Sequence, residues 1–270
     1  ILLKLRISLL GEGLNMGCCN SQTEESNCCS DEERETENCM VCGDELVYKS
    51  QPDRKECIYC GTEKSASVYC LNDHFVCDEC HNQEINSFIT EAALNAKTKN
   101  PLEFAERMMA HPNMPFLGGA HHLVITSALL VALRNFGPIS VQGTEKQVTA
   151  DDIEEGIRRM KKIPSCSCAD YGSCGVGPGV GAVFSILYEA TCAKDRERTL
   201  TMRATNSTLT AVANTGGPGC CKQSVRTAIE TGIELLKEQF EVRLPISRIR
   251  NCSFSERHPH GCKGESCVYF

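Results

Sequence analysis

Apolar positions recur at helical spacing over most of the chain beyond residue 84. Glu84–Lys97 places Ile85, Phe88, Ile89, Ala92 and Ala93 on one face, the pattern of an amphipathic helix. Asn100-Pro101-Leu102-Glu103 reads as a capping-box start with Pro at the first helical position, leading a helix to about Ala110. His121–Phe136 is almost wholly apolar after its two histidines, as a buried central helix should be, and Gly137-Pro138 ends it. Thr149 with Asp152 caps a predicted amphipathic helix to Lys162, closed by Pro164. Further helices are predicted at Val180–Glu189, Thr199–Asn214 and Cys221–Phe240. Strand-like alternation is confined to Glu45–Lys49 and Glu241–Ile246. The body is expected to be a mainly α helical bundle.

Composition changes this picture in one respect, its sulfur. The 270 residues include 20 cysteines and no Trp. Disulfide scaffolds are usually short and secreted, whereas this chain is long, helical and groups cysteines as CxxC pairs, so metal ligation in a reducing cytoplasm is the expectation. Lys+Arg 28 against Asp+Glu 35 gives −7, which argues against a general nucleic-acid binder. No apolar run reaches the roughly 18–20 residues of a membrane span. Residues 1–38 read as a disordered acidic tail: from Met16 to Asn38 seven acids stand against Arg34. Within it, Ile1–Leu10 resembles a weak signal-peptide core without a cleavage site. Met16-Gly17-Cys18-Cys19-Asn20-Ser21 fits a myristoylation pattern, read here as coincidence.

Residues 39–83 carry the clearest chemistry. Cys39-Met40-Val41-Cys42-Gly43 and Cys57-Ile58-Tyr59-Cys60-Gly61 are CxxCG knuckles separated by 14 residues. Two thiolates at i and i+3 on a tight turn can reach one ion, and the Gly permits the turn. Directly after comes Cys70-x3-His74-x2-Cys77-x2-Cys80-His81. The economical pairing is sequential: Cys39, Cys42, Cys57 and Cys60 on one zinc, and Cys70, His74, Cys77 and Cys80 on a second. The alternative is a cross-brace, with Cys39/Cys42 joined to Cys70/His74 and Cys57/Cys60 joined to Cys77/Cys80. The matched knuckles favour the sequential, zinc-ribbon-like form. Both sets have four ligands and no open position, so they are expected to be structural.

Three constellations interrupt the helical domain, residues 84–245, and the Cys-rich segment 246–270. Cys166-Ser167-Cys168 and Cys174-Gly175-Val176-Gly177-Pro178-Gly179-Val180-Gly181 precede a helix. The glycines serve either to expose backbone N–H groups to a thiolate or anion, or to pack helices closely. Gly217-Pro218-Gly219-Cys220-Cys221-Lys222 puts vicinal thiols in a first helical turn beside a cation, where lowered pKa values are expected. Cys252, Cys262 and Cys267 accompany His258 and His260 in an irregular tail. Taken together these predict a shared cysteine-ligated centre, with Cys174, Cys220 and Cys221 as candidate reactive thiols. Cys168, Cys174, Cys220, Cys221, Cys252, Cys262 and Cys267 are its candidate ligands. His121 and His122 head the buried helix and are weaker acid–base candidates; about 100° separates adjacent side chains, so at most one faces a given site.

These motifs resemble the domain-of-unknown-function family 5714 of anaerobic archaea and bacteria. The likeness runs from the two knuckles and Cys70…His81 through His111-Pro112, Gly119-Ala120-His121-His122, Cys174-Gly175 and Gly217…Lys222 to Cys267, covering residues 39–270. More loosely, the body is similar to helical redox proteins carrying a C-GCAxxG-C-C pattern. Pro178 with Gly177 and Gly179 departs from the small residues expected there, which predicts a later helix start. The resemblance implies an anaerobe's protein and supplies no reaction. The expected function is a cytoplasmic metalloprotein with two structural zinc ions and an iron–sulfur-type redox or sulfur-handling centre served by a protein or redox partner. The competing expectation is a non-enzymatic zinc-binding adaptor. Neither a Rossmann GxGxxG nor a Walker A lysine is present.

Overall fold

The computed structural model describes residues 39, 44–77, 80, 84–247, 249 and 251–270, all within one compact unit, Glu33–Phe270. The acidic tail, the signal-like and myristoylation-like segments, Cys42 and His81 lie outside the described residues. Strand β1 (Leu46–Glu56) pairs antiparallel with β2 (Glu63–Cys70), from Leu46↔Cys70 to Glu56↔Glu63, with an irregularity between Tyr48 and Asp53. The body follows as α1 (Ile85–Asn95), α2 (Pro101–Met109), α3 (Ala120–Phe136), a β3 (Ile139–Val141)/β4 (Thr144–Lys146) hairpin and α4 (Ala150–Met160). It continues with the short α5 (Ser167–Asp170), then α6 (Val176–Leu187), α7 (Asp195–Thr215) and α8 (Cys221–Phe240). No described helix is long and apolar enough to cross a membrane.

Helix α3 is the axle. Every residue from Ala120 to Leu133 is buried, and α1, α2, α4, α6 and α8 pack around it. Most helix boundaries follow from local chemistry. Asn100 Oδ1 accepts from the N–H groups of Leu102 (3.1 Å) and Glu103 (3.2 Å). Glu103 instead accepts from the Thr98 hydroxyl, so the cap is one-sided rather than the expected box. Thr149 and Asp152 form a reciprocal box, each side chain accepting from the other's N–H.

Three expectations about secondary structure are corrected. Glu241–Ile246 joins no ladder, and Glu241 itself closes α8 in the left-handed conformation (φ 58°). Strand β2 and the β3/β4 hairpin carry no clear alternation in sequence. Helix α6 starts at Val176, earlier than expected. Pro178 sits in its first turn, where a backbone N–H has no acceptor within the helix, so the missing donor costs nothing.

The glycines around α6 are used up in packing. A methyl at Gly175 would lie 2.4 Å from the His122 ring, and one at Gly179 would lie 2.7 Å from Ile125 Cγ2. On the opposite side, Gly177 and Gly181 face Leu209 and Thr205 of α7 at 2.5 and 2.0 Å by the same measure. Two i, i+4 glycine pairs therefore let α3 and α7 close on both faces of one helix. Of the two readings of this Gly-rich stretch, close packing is the one the contacts support.

The N-terminal module shares its core with the body. The Tyr59 ring meets Phe88 edge-on at 4.6 Å, Phe88 lies 4.1 Å from the His111 ring, and Tyr59 donates to the Arg107 carbonyl at 3.3 Å. His111 Nε2–H donates to the Cys80 carbonyl at 2.8 Å. This buried bond fastens a knuckle to the start of the helical body.

Gly179→Ala is expected to destabilise the fold by about 1–3 kcal/mol through overpacking against Ile125 and Thr126, despite the better helix propensity of Ala. Gly219→Ala, where a methyl meets nothing within 4 Å, should be near neutral. Urea unfolding of the two variants checks the contrast.

Candidate metal centres

In the N-terminal module the sulfurs of Cys57, Cys60, Cys77 and Cys80 lie within 4.8 Å of one another, and so do the ligand atoms of Cys39, Cys70 and His74. This is the interleaved arrangement, and it overturns the sequential pairing favoured by the knuckles. The hairpin explains why. Cys70 pairs with Leu46 at one end, beside the Cys39 loop, while Cys57 follows Glu56, which pairs with Glu63 at the other. Seven residues of strand at about 3.3 Å each separate those ends, so Cys39 and Cys57 cannot share one ion. Cys77 is returned to the Cys57 end by a bridge between Cys57 and Phe75, where Ile58 N–H donates to the Phe75 carbonyl at 2.9 Å.

The distances suit a tetrahedral ion. Four sulfurs about 2.3 Å from one metal stand about 3.8 Å apart; Cys60 and Cys77 are 3.9 Å apart. His74 Nδ1 lies 3.3 Å from Cys70 Sγ and 3.8 Å from Cys39 Sγ. Backbone N–H groups of Cys77 and His74 donate to the sulfurs of Cys57 and Cys70, both at 3.4 Å. Burial disfavours the Cys60 thiolate, but hydrogen bonds from Thr62 and the adjacent thiols Cys57 and Cys80 outweigh it and bring Cys60 down to about 7. Burial and the neighbouring Cys57 charge push Cys80 well up. Thiols this close resist joint ionisation unless a cation is shared. Both groups can hold a metal ion.

A second gathering of sulfur forms where the C-terminal segment folds over the first two turns of α8. Cys220, Cys252, Cys262 and Cys267 line one small open cleft, with Gln223, Arg226 and His258 among its other walls. Each sulfur accepts an N–H. Gln223 N–H donates to Cys220 (3.5 Å), Arg226 Nη1–H to Cys252 (3.2 Å), Gly264 N–H to Cys262 (3.4 Å) and Gln223 Nε2–H to Cys267 (3.6 Å). Such donors orient cysteine ligands and offset their charge. Among the described residues only the two groups of the N-terminal module bring three or more ligand atoms within 4.8 Å. No three of the cleft sulfurs lie within 4.8 Å of one another.

Two buried cations back this cleft. Arg226, 2% exposed, is held by Glu106 through two 2.8 Å bonds and lies over the rings of Phe254 and Tyr269. Lys222, also 2% exposed, donates to the Pro115 carbonyl at 3.2 Å and to His121 Nε2 at 3.0 Å, with Phe254 beneath it. Arg226, Gln223 and Glu106 do not stand out as site residues in the sequence. The signal that could have found them is that Gln223 and Arg226 stand at i, i+3 spacing in line with Ile229 and Ile233 on the buried stripe of α8. Polar residues on such a stripe need partners.

The remaining candidates are divided between places. The Val176 N–H and the Ser224 hydroxyl favour the Cys174 thiolate, and the Gly118 N–H favours that of Cys221. Cys166 and Cys168 are exposed around the short α5. The vicinal Cys220 and Cys221 are thus separated, the first lining the cleft and the second outside its lining. Burial pushes all three thiols up, Cys221 to about 12. The expected lowering of Cys220 and Cys221 is corrected, because desolvation outweighs their N–H donors while the Lys222 ammonium turns to His121 and Pro115.

His121 is fully buried. Burial first, and then the Lys222 charge, drive its pKa well down, so its Nδ1–H donates to the Gly118 carbonyl (3.1 Å) while Nε2 accepts from Lys222. It orients the lysine and lies outside the lining of the cysteine cleft. Burial likewise lowers the pKa of His122, whose Nδ1 has no hydrogen-bond partner among the described residues.

The family of unknown function DUF5714 matches residues 89–270, more than half of the chain. The chain belongs to this family. The match covers the helical body and the C-terminal segment, and begins after the N-terminal module rather than at residue 39. No curated protein and no solved structure matches the chain.

Arg226→Met is expected to cost about 3–5 kcal/mol by stranding the Glu106 carboxylate, and Arg226→Met with Glu106→Leu should cost less; a double-mutant cycle in urea checks this. His121 is depressed below its unfolded value of 6.5, so its contribution is present above pH 6.5 and declines as pH falls below it, by roughly 1 kcal/mol per pH unit. His121→Gln should flatten that part of the stability–pH curve.

Proposed function

We propose that the chain is a cytoplasmic metalloprotein of an anaerobe, with two structural zinc ions in the N-terminal module and a cysteine-ligated iron–sulfur centre in the C-terminal cleft. The centre would serve one-electron redox or sulfur handling with a protein or redox partner. Cys57, Cys60, Cys77 and Cys80 would hold one zinc; Cys39, Cys42, Cys70 and His74 would hold the other. Zinc suits closed four-ligand thiolate and imidazole sets.

One observation carries the redox reading. Four thiols line one cleft, each with its own N–H donor and with no three of their sulfurs within 4.8 Å of one another, and two buried cations stand nearby. A polynuclear cluster needs thiolates spread around its body rather than around a point. Part of its net negative charge would be offset by the Arg226 N–H on Cys252. When bound, the cluster supplies electron storage. The chain supplies the ligands and the hydrogen bonds that set its potential.

A second reading, a zinc-binding adaptor without redox chemistry, is supported by the exposed apolar side chains Tyr48 (68%) and Leu71 (70%) on the hairpin of the module.

Metal and acid-labile sulfide analysis on protein purified without oxygen separates the two. About two zinc with iron and sulfide is the expected result; zinc with no iron would select the adaptor. Cys252→Ser should remove iron and leave zinc, and Cys57→Ser should lower zinc by about one equivalent with iron retained.

A further inference from the structure

The sequence singles out His258 and His260 beside the C-terminal cysteines, and the ligand sets leave both over. Their places differ. His258 is half-buried and lines the cleft with Cys220, Cys252, Cys262 and Cys267, whereas His260 is exposed and outside that lining. The His258 ring meets Phe116 edge-on at 5.0 Å, and its Nδ1 accepts the His260 backbone N–H at 3.2 Å. That bond decides the tautomer. Nδ1 keeps its lone pair for the peptide, so the neutral ring carries its proton on Nε2. Burial first, and then His260, lower the His258 pKa, so the neutral ring is the form present at pH 7. A metal-ligating imidazole is arranged the opposite way, with one nitrogen on the ion and the other donating its N–H. With Nδ1 so engaged, Nε2 could ligate only as an imidazolate. His258 is therefore built as a donor. Nδ1 faces back into its own turn, which leaves the Nε2 edge for the cleft. Each cleft cysteine already accepts an N–H from Gln223, Arg226 or Gly264, and among the described residues no other residue accepts from Nε2.

We infer that His258 is a hydrogen-bond donor to the iron–sulfur centre of the cleft, a positioning residue that raises its potential, and is not one of its ligands. This rests on the iron–sulfur reading. Reduction by a one-electron protein carrier adds one electron to the centre, and no covalent bond of His258 forms or breaks. An N–H aimed at the sulfurs stabilises the more negative, reduced state more than the oxidised one, so the potential rises. The N–H groups on the four cysteines act in the same direction through the ligands. His258 adds one that is not spent on a ligand. Phe116 and Phe254 stand in the same lining, and a donor beside apolar walls counts for more than one in water. The two histidines of the segment then have separate tasks: His260 lends its peptide N–H to fix the tautomer, and His258 uses the tautomer so fixed.

The test uses the full-length protein purified without oxygen, with iron, acid-labile sulfide and midpoint potential measured for the wild type and three variants. His258→Phe keeps a ring against Phe116 and removes the donor. It should retain iron and sulfide and shift the oxidised-to-reduced ratio at a fixed solution potential about tenfold toward the oxidised form, about 59 mV for one electron. His258→Gln, whose amide N–H reaches the position of Nε2, should recover most of that shift. His260→Ala keeps the backbone N–H that Nδ1 accepts and should match the wild type. Loss of iron from His258→Phe to the extent seen in Cys252→Ser would make His258 a ligand and overturn the inference. An unchanged potential in His258→Phe, or an equal shift in His260→Ala, would overturn it while leaving the cluster in place. A wild type without iron and sulfide would strike the iron–sulfur reading itself, and the donor role with it. Where His258→Phe fails to fold, pulsed EPR of the reduced wild type with nitrogen-15 histidine decides the point. A weakly coupled nitrogen bearing an exchangeable proton is expected; a directly bonded nitrogen, or none, overturns the proposal.

Discussion

The clamp between Arg226 and Glu106 is the interaction on which the C-terminal architecture rests. It joins α2 to α8 across a separation of 120 residues and leaves one guanidinium N–H for Cys252. The segment 241–270 contains no regular element beyond two short 3₁₀ turns among its described residues. It is fixed by side chains: Arg226 beneath Phe254 and Tyr269, Gln223 on Cys267, and the Tyr269 hydroxyl donating to Glu230 at 2.8 Å. Without the carboxylate, a buried cation would be left against two aromatic rings. With it, the cation becomes a rigid peg around which an irregular chain can be arranged.

How much of this is legible in sequence depends on how local the cause is. The helices from α1 to α4 and α8 follow from period and caps, and Thr149 with Asp152 behaves as its spacing says. Ligand identity in the module is also local, since a CxxC knuckle advertises itself within four residues. The pairing of knuckles is not. It is decided by hairpin register, which β2 sets and which no single window contains. The same holds for the thiol pKa values. A first helical turn beside Lys222 argues for acidity, yet the burial that outweighs it involves segments far away in the chain, as Phe116 and Phe254 beside Cys220 show. The seven expected ligands divide for a similar reason: adjacent helical positions diverge, so Cys220 and Cys221 belong to different neighbourhoods.

The module and the body are joined more firmly than their separate sequence patterns suggest. Tyr59, inside a knuckle, packs on Phe88 of α1, and His111 bonds the Cys80 carbonyl. A metal bound by Cys57, Cys60, Cys77 and Cys80 would thus order the first aromatic contacts of the body as well as its own loops. Family membership begins at residue 89, so Tyr59 and Cys80 lie outside the matched region while Arg107 and His111 lie inside it.

The glycine pairs of α6 have a mechanical meaning. Where side chains are absent, backbones touch, and a helix wedged between two neighbours at that distance has no slack to lean or slide. Cys174 stands immediately before this wedge. Stiffness at that point comes from what has been removed rather than from bulk added. A thiol mounted there keeps its position by geometry alone, and any sulfur it meets must be delivered to it.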